Sequence, residues 1–398
     1  MKKLLLIAII FCIGMAFFFS GVGVAKNPPP YVIGLNLSLT GRAANIGIAE
    51  ERVYRMRIDE INAAGGINGR KLKPVIYDDE TRPAQSVLNT KKLIHVDKVI
   101  ACLGYAFTGG TLACVKTATD GKTVLFSLAA SEKIWRPTKK WVFNTTPCQK
   151  DACTPILVDN LLKRGSTKIA YIYNDTAYGQ TGKETFDWTC EKMGIKPAII
   201  EKYSPRSTDV SPQITHIKAS GTDGLIICGY LADTVRVLKT ARDLGITYPI
   251  FSEYAVVGPE FIELAGKYGE GVVTTSLKTL VAKDLPDTDV QKKVCMDLYS
   301  KYTKKYGPFS LYAGHAWDSL NLVTKALEKI DPKLDPTKKD DLAKIRAQLR
   351  DSLETLKGVV GQNGVYNYSS YHHNGLAPGC YVPVVVQNGK WVLYEAKR

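Results

Sequence analysis

From residue 31 onward, short continuous apolar runs alternate with stretches of helical period. The runs are Tyr31–Leu37, Leu72–Tyr77, Lys98–Leu103 and Thr123–Ser127. A second series follows at Lys168–Tyr173, Pro197–Tyr203, Asp223–Gly229, Pro249–Glu253 and Gly271–Ser276. These runs are rich in Val, Ile and Tyr and show no polar alternation, which predicts strands buried on both faces. Between them, Ala49, Val53, Met56 and Ala63 share one helical face before the stop at Gly65–Gly66. Ala84, Val87, Leu88 and Ile94 form a second such face, and Leu231–Leu244 repeats the pattern with Val235 and Leu238 before Gly245. Repeated strand–helix units predict parallel sheets covered by helices.

The two series read as two similar α/β lobes. The chain is expected to cross first near Thr145–Cys148 and to return near Leu277–Thr279, where the strand–helix rhythm breaks. A long helical stretch, Thr288–Lys329, and a second at Asp341–Leu356 would complete the first lobe. The tail Tyr366–Tyr394, rich in Tyr and Val, reads as strands finishing the second. The lobes are then 28–147 with 279–356, and 148–278 with 357–398. Asp331–Asp340, with two prolines and several charges, reads as a surface connector.

The N-terminus has a different pattern. Lys2 and Lys3 precede an apolar run from Leu4 to Phe19, followed by Gly21, Gly23 and Ala25. That order describes a secretory signal peptide, residues 1–25, cut after Ala25; the alternative is an uncleaved anchor. Cys12 follows Phe11, where a lipidation site needs a small residue. Export places the mature chain in the periplasm. The formal charge of +15 comes from scattered single residues. No Lys/Arg block with interleaved aromatics occurs, so nucleic acid is not an expected partner.

Eight cysteines remain beyond the leader, at 102, 114, 148, 153, 190, 228, 295 and 380. An even number in an exported chain predicts disulfides, with Cys148–Cys153 the first candidate and Cys102–Cys114 the second. Cys228, inside a strand-like run, could equally be a buried thiol. Gly104–Thr111 (GYAFTGGT) approaches a phosphate loop, but Gly110 stands where the lysine belongs, which argues against nucleotide. Its backbone N–H groups at a helix start would still attract a carboxylate. His372–His373 and Asp78–Asp79–Glu80 lack the spacing of a metal site; the histidines read as a turn or surface pair, and the acidic run as structural or helix-capping. No nucleophile elbow, zinc motif or dinucleotide fingerprint is present, so neither cofactor nor catalysis is expected.

Several segments together resemble the periplasmic leucine/isoleucine/valine-binding proteins, the solute receptors of branched-chain amino-acid ABC importers. They are INAAGGINGRKLKPVIYDDETRPAQSV (Ile61–Val87), YNDTAYGQTGK (Tyr173–Lys183) and GYLADTVRVLKTARDLGI (Gly229–Ile246). GVYNYSSYHHNGL (Gly364–Leu376) and QNGKWV (Gln387–Val392) also fit, so the likeness runs from Tyr31 to Trp391. It implies an α/β fold of two Rossmann-like lobes with parallel central sheets, joined by a three-crossover hinge (periplasmic binding protein type I). It also implies a monomeric receptor that hands an amino acid to a membrane permease.

The resemblance assigns roles residue by residue. Thr108, with Gly109 beside it, takes the place of the family's carboxylate-binding serine. Ala129 and Ser131 match head-group residues, and Tyr178 and Tyr230 match second-lobe aromatics. Glu253, the only carboxylate in FSEYAVVG, would pair the α-ammonium, although the alignment there is offset by one or two positions. Thr81 and Phe107 stand where the leucine-type receptors carry a disulfide. Ile46 replaces a wall aromatic, and Phe107 adds bulk beside Thr108, so the side-chain pocket is reshaped. Aromatic acids, amides and urea, which relatives of this architecture bind, remain alternative ligands. A sensory or regulatory ligand-binding protein is the alternative of another class.

Overall fold

The computed structural model describes residues 28–395; the leader, its cut after Ala25 and the last three residues lie outside the described residues. The first half of the chain lays down β1 (Tyr31–Leu37), α1 (Ala44–Ala63), β2 (Leu72–Asp78) and α2 (Pro83–His95). There follow β3 (Ala101–Gly104), α3 (Thr108–Asp120), β4 (Val124–Ser127) and β5 (Val142–Asn144). These five strands form one wholly parallel sheet in the order β2-β1-β3-β4-β5.

The chain then builds α4 (Gln149–Ala152), α5 (Thr154–Lys163), β6 (Ile169–Asn174), α6 (Ala177–Met193) and β7 (Ile199–Tyr203). Next come α7 (Ser211–Ala219), β8 (Gly224–Cys228), α8 (Leu231–Asp243), β9 (Ile250–Ser252), α9 (Pro259–Ala265) and β10 (Val273–Ser276). Three helices return to the first sheet: α10 (Lys292–Tyr306), α11 (Tyr312–Leu327) and α12 (Lys339–Glu354). Arg346 on α12 fixes that return by donating to the carbonyls of Val99 and Ile94. A short pair, β11 (Val359–Val360) and β12 (Val365–Tyr366), precedes β13 (Val382–Gln387) and β14 (Lys390–Leu393). The second sheet runs β14-β13-β10-β9-β8-β6-β7. Its tail strands, expected to finish the second lobe, pair antiparallel on β10.

Three sequence expectations are corrected. The single stretch Thr288–Lys329 is two helices, because Gly307 takes φ +85° and Pro308 follows. The buried face of α2 is not Ala84, Val87 and Leu88, of which Leu88 is 59% exposed. It is Ser86, Asn89, Thr90, Leu93 and Ile94. These polar groups are satisfied inside the lobe: Asn89 donates to Asn36, Ser86 to Asp79, and Thr90 meets the Tyr105 hydroxyl. Third, neither expected disulfide forms, and all eight described cysteines are free thiols. The Cys148 thiol instead donates to Asp151 within the α4 turn, and Cys114 Sγ accepts from Thr90.

The structural reading of the acidic run holds, whereas the surface reading of His372–His373 fails for His373, which is fully buried. Asp78 and Asp79 gather the hydroxyls and N–H groups of residues 38–40 and 80–86. His373 is held between the carbonyls of Lys139 and Val142 and the Glu354 carboxylate, stacked on Phe143.

Candidate functional site

In each sheet the strand order reverses beside a central strand: β1 between β2 and β3, and β6 between β7 and β8. Ligands of open α/β sheets sit beyond the carboxyl ends of strands at such points. Both sheets aim those ends at a common cleft. At the end of β3, Gly104 (φ +104°) and Tyr105 (φ +60°) turn the chain sharply. A Cβ on Gly104 would lie 2.5 Å from the Asn36 carbonyl, so only glycine fits. This turn delivers Thr108 as the first residue of α3, whose opening N–H groups lack helical acceptors. Across the cleft, Thr176 caps α6 by accepting from Gly179 N–H. Gly179 lets the helix start sit directly on Asn174, where a Cβ would be 1.9 Å from the Asn174 carbonyl. That close approach aims Tyr178 into the cleft.

The cleft narrows there to a small cavity of about 20 Å³. The first-sheet side supplies Ile46, Ala106, Thr108, Leu128, Ala129 and Ala130. The facing side supplies Tyr178, Tyr230, Tyr254 and Ala255, and α11 adds Tyr312 and His315. The rings of Tyr178 and Tyr230 lie 5.4 Å apart, forming an aromatic lid.

Four buried polar atoms at this cavity have no partner: Thr108 Oγ1, Tyr178 Oη, Tyr312 Oη and His315 Nδ1. Buried polar groups are normally hydrogen-bonded, and an orphan costs about 1–3 kcal/mol. The residues that carry these four atoms all line one cavity, which suits a polar guest. Among the described residues no cluster fit to hold a metal ion occurs.

The expected site residues divide. Thr108, Ala129, Tyr178 and Tyr230 line the cavity together. Phe107 and Gly109 instead line an adjoining outer groove with Arg42 and Asp175. Phe107 packs its ring over Gly110, where a Cβ would meet it at 2.5 Å. Ser131 is buried, but its hydroxyl lies 2.9 Å from Thr181 Oγ1 on α6. Glu253 follows β9 and is fully buried, but it is not among the residues that line the cavity. Its Oε1 accepts from Thr154 at 2.6 Å and from Tyr171 at 3.2 Å, while Oε2 is unpartnered. Burial pushes its pKa up, and bonds from neighbouring hydroxyl, thiol and amide groups pull it back.

Sequence reasoning missed Tyr254, Tyr312 and His315. Tyr254 lay inside the segment singled out for Glu253. Tyr312 and His315 belong to a helix buried on almost every side, so no periodicity separates a cavity residue from a core residue.

The profile of the periplasmic binding protein family matches residues 30–390, and the chain belongs to that family, whose members are solute-binding receptors. The chain is 25% identical over 332 residues to the leucine-, isoleucine-, valine-, threonine- and alanine-binding protein of Pseudomonas aeruginosa. That alignment covers 83% of this chain and 84% of the relative. An extracellular ligand-binding receptor from Rhodopseudomonas palustris superposes with a TM-score of 0.81 at 25% identity, covering 92% of this chain and 99% of that one. The branched-chain amino acid transporter substrate-binding protein LivJ of Streptococcus pneumoniae, solved with isoleucine, gives a TM-score of 0.76 at 24% identity, covering 91% and 97%. The fold is therefore the type I periplasmic binding fold that the sequence implied.

Proposed function

We propose that this chain captures a small α-amino acid of the branched-chain or a related type and presents it to the membrane permease of an ABC importer. It acts as an exported, monomeric receptor, without catalysis, cofactor or nucleic acid. Its lobes are residues 28–147 with 279–356, and 148–278 with 357–398. The observation that carries this reading is the pairing of orphaned hydroxyls from opposite sides of the cleft, Thr108 Oγ1 and Tyr178 Oη, in one closed cavity. The Thr108 hydroxyl and the first N–H groups of α3 suit a carboxylate. Glu253 Oε2, buried and unpaired, suits an ammonium. Closure is favoured by ligand because only the closed form brings both sets of contacts to it. The ligands named for the Pseudomonas relative agree with this chemistry.

A second reading has an observation of its own: no carboxylate lines the cavity directly, and half of Glu253 is spent on Thr154 and Tyr171. That arrangement favours an acid or amide without an ammonium. Calorimetric titration of ligand-stripped protein with leucine, isoleucine and valine, and with the matching 2-oxo acids, separates the two. Removing a buried charge partner costs roughly 2–5 kcal/mol, so the oxo acids should bind about 30-fold weaker or worse. Oxo acids that bind as tightly as the amino acids would replace the first reading with the second.

A further inference from the structure

His315 stands on α11 at the cavity wall, 1% exposed. Its Nε2 lies 2.8 Å from Tyr381 Oη, and its Nδ1 has no partner. The direction of the Nε2 bond follows from the groups behind it. Asp318, fully buried, accepts the backbone N–H groups of Gln362 and Asn363 and the Asn363 side-chain NH₂, at 2.7, 2.8 and 2.8 Å. The Asn363 amide must therefore turn Nδ2 to the carboxylate and Oδ1 to Tyr381. Tyr381 donates its single proton to that Oδ1 at 2.9 Å, which leaves only its lone pairs for His315. Nε2 then carries the hydrogen, and in a neutral ring Nδ1 is a bare acceptor. Burial holds the His315 pKa down at about 3, so the ring is neutral at physiological pH.

We propose that His315 Nδ1 is a specificity-determining acceptor that selects ligands bearing an N–H or O–H donor on the side chain, a hydroxyl or carboxamide, over purely aliphatic ones. This rests on the amino-acid reading, with Glu253 serving the ammonium. An aliphatic ligand would leave the lone pair buried and unmet, whereas a donor-bearing isostere fills the same volume and satisfies it. A carboxylate side chain would bring lone pairs against a lone pair. The orphan Tyr312 hydroxyl, its ring 5.8 Å from the imidazole, complements a carboxamide oxygen.

The test is calorimetric titration of ligand-stripped protein with two near-isosteric pairs, threonine against valine and asparagine against leucine. The donor-bearing member of at least one pair should bind about 10-fold tighter. His315→Leu should abolish that preference, and His315→Asn, whose side-chain oxygen replaces Nδ1 as acceptor, should retain it. Nitrogen NMR of the wild-type imidazole should show the Nε2–H tautomer, and Tyr381→Phe should release it to a mixture. If His315→Leu does not fold, the Asn and Phe variants still decide the matter. Equal affinities within both pairs, or a preference surviving in His315→Leu, overturns the proposal and leaves the amino-acid reading standing. An equal loss for both members of a pair would assign the acceptor to the ammonium and overturn the side-chain role. Binding of no amino acid at all would overturn the amino-acid reading, and this inference with it.

Discussion

Ser131 Oγ and Thr181 Oγ1 lie 2.9 Å apart across the cleft, a buried hydroxyl pair joining the loop after β4 to α6. Beside it at the surface, Lys133 Nζ and Glu184 Oε1 are 2.7 Å apart. A neutral buried bond contributes about 0.5–1.5 kcal/mol and an exposed ion pair about 0–1. The latch is therefore weak enough to need a ligand and strong enough to bias the closed state. In a double-mutant cycle, Ser131→Ala and Thr181→Val should each weaken ligand binding by about 3- to 10-fold and show strong non-additivity. Additive losses would mean that Ser131 contacts the ligand rather than its partner hydroxyl.

Tyr178→Phe should move stability and affinity in opposite directions. The hydroxyl is buried without a partner in the closed cleft, so deleting it should raise the melting temperature of ligand-stripped protein, by the equivalent of at most about 1 kcal/mol to the extent that the cleft stays closed. The same deletion should weaken ligand binding about 10-fold or more. Thermal melts with and without ligand measure both effects in one experiment.

Glu50, one turn along α1 from Ile46, is fully buried with both carboxylate oxygens unpartnered. Burial first, and the nearby Asp79 charge second, push its pKa well above the usual carboxylate range. A carboxyl whose folded pKa is raised contributes stability below its unfolded pKa and loses it as pH rises through the folded value. Glu50→Gln should therefore gain melting temperature over wild type progressively from pH 4 to pH 8, with the smallest difference at the acid end. A difference that shrinks with rising pH would contradict the sign.

His315 has the opposite sign. Its folded pKa, about 3, is depressed from an ordinary 6.5, so stability is present above pH 6.5 and declines as pH falls toward 3. The slope from this one group approaches about 1.4 kcal/mol per pH unit. His315→Asn should flatten the acid limb of the stability curve between pH 6 and pH 4.

The free thiols give a chemical check. Every described cysteine except Cys380 is buried; burial chiefly pushes the Cys102, Cys114, Cys190, Cys295 and Cys380 thiols up to about 12, and the Cys148 thiol well above the usual thiol range. Native mature protein should resist a thiol reagent, the unfolded mature chain, without the leader that carries Cys12, should release eight thiols, and reductant should leave the melting temperature unchanged.

Most of the frame was legible because buried parallel strands write themselves as continuous apolar runs; Lys168–Tyr173 and the strand Ile169–Asn174 differ by one residue at each end. β5 escaped notice because three residues carry no period. The polar face of α2 was misread because its hydroxyls and amides are satisfied by Asn36, Asp79 and Tyr105, partners that only the fold brings near. At the site, the family resemblance carried by GYAFTGG and TAYG named Thr108 and Tyr178, which both line the cavity. The orientation of Glu253 depends on Thr154 and Tyr171, about 80 to 100 residues away in sequence, which no local pattern encodes.

The most direct test is titration of ligand-stripped protein with branched-chain amino acids in wild type and in the Thr108→Val/Tyr178→Phe double variant. If the ligand is held between these two orphaned hydroxyls, wild type binds one equivalent, and the folded double variant binds about 100-fold more weakly or not at all. Unchanged affinity in a folded double variant would contradict the site described between the two sheets.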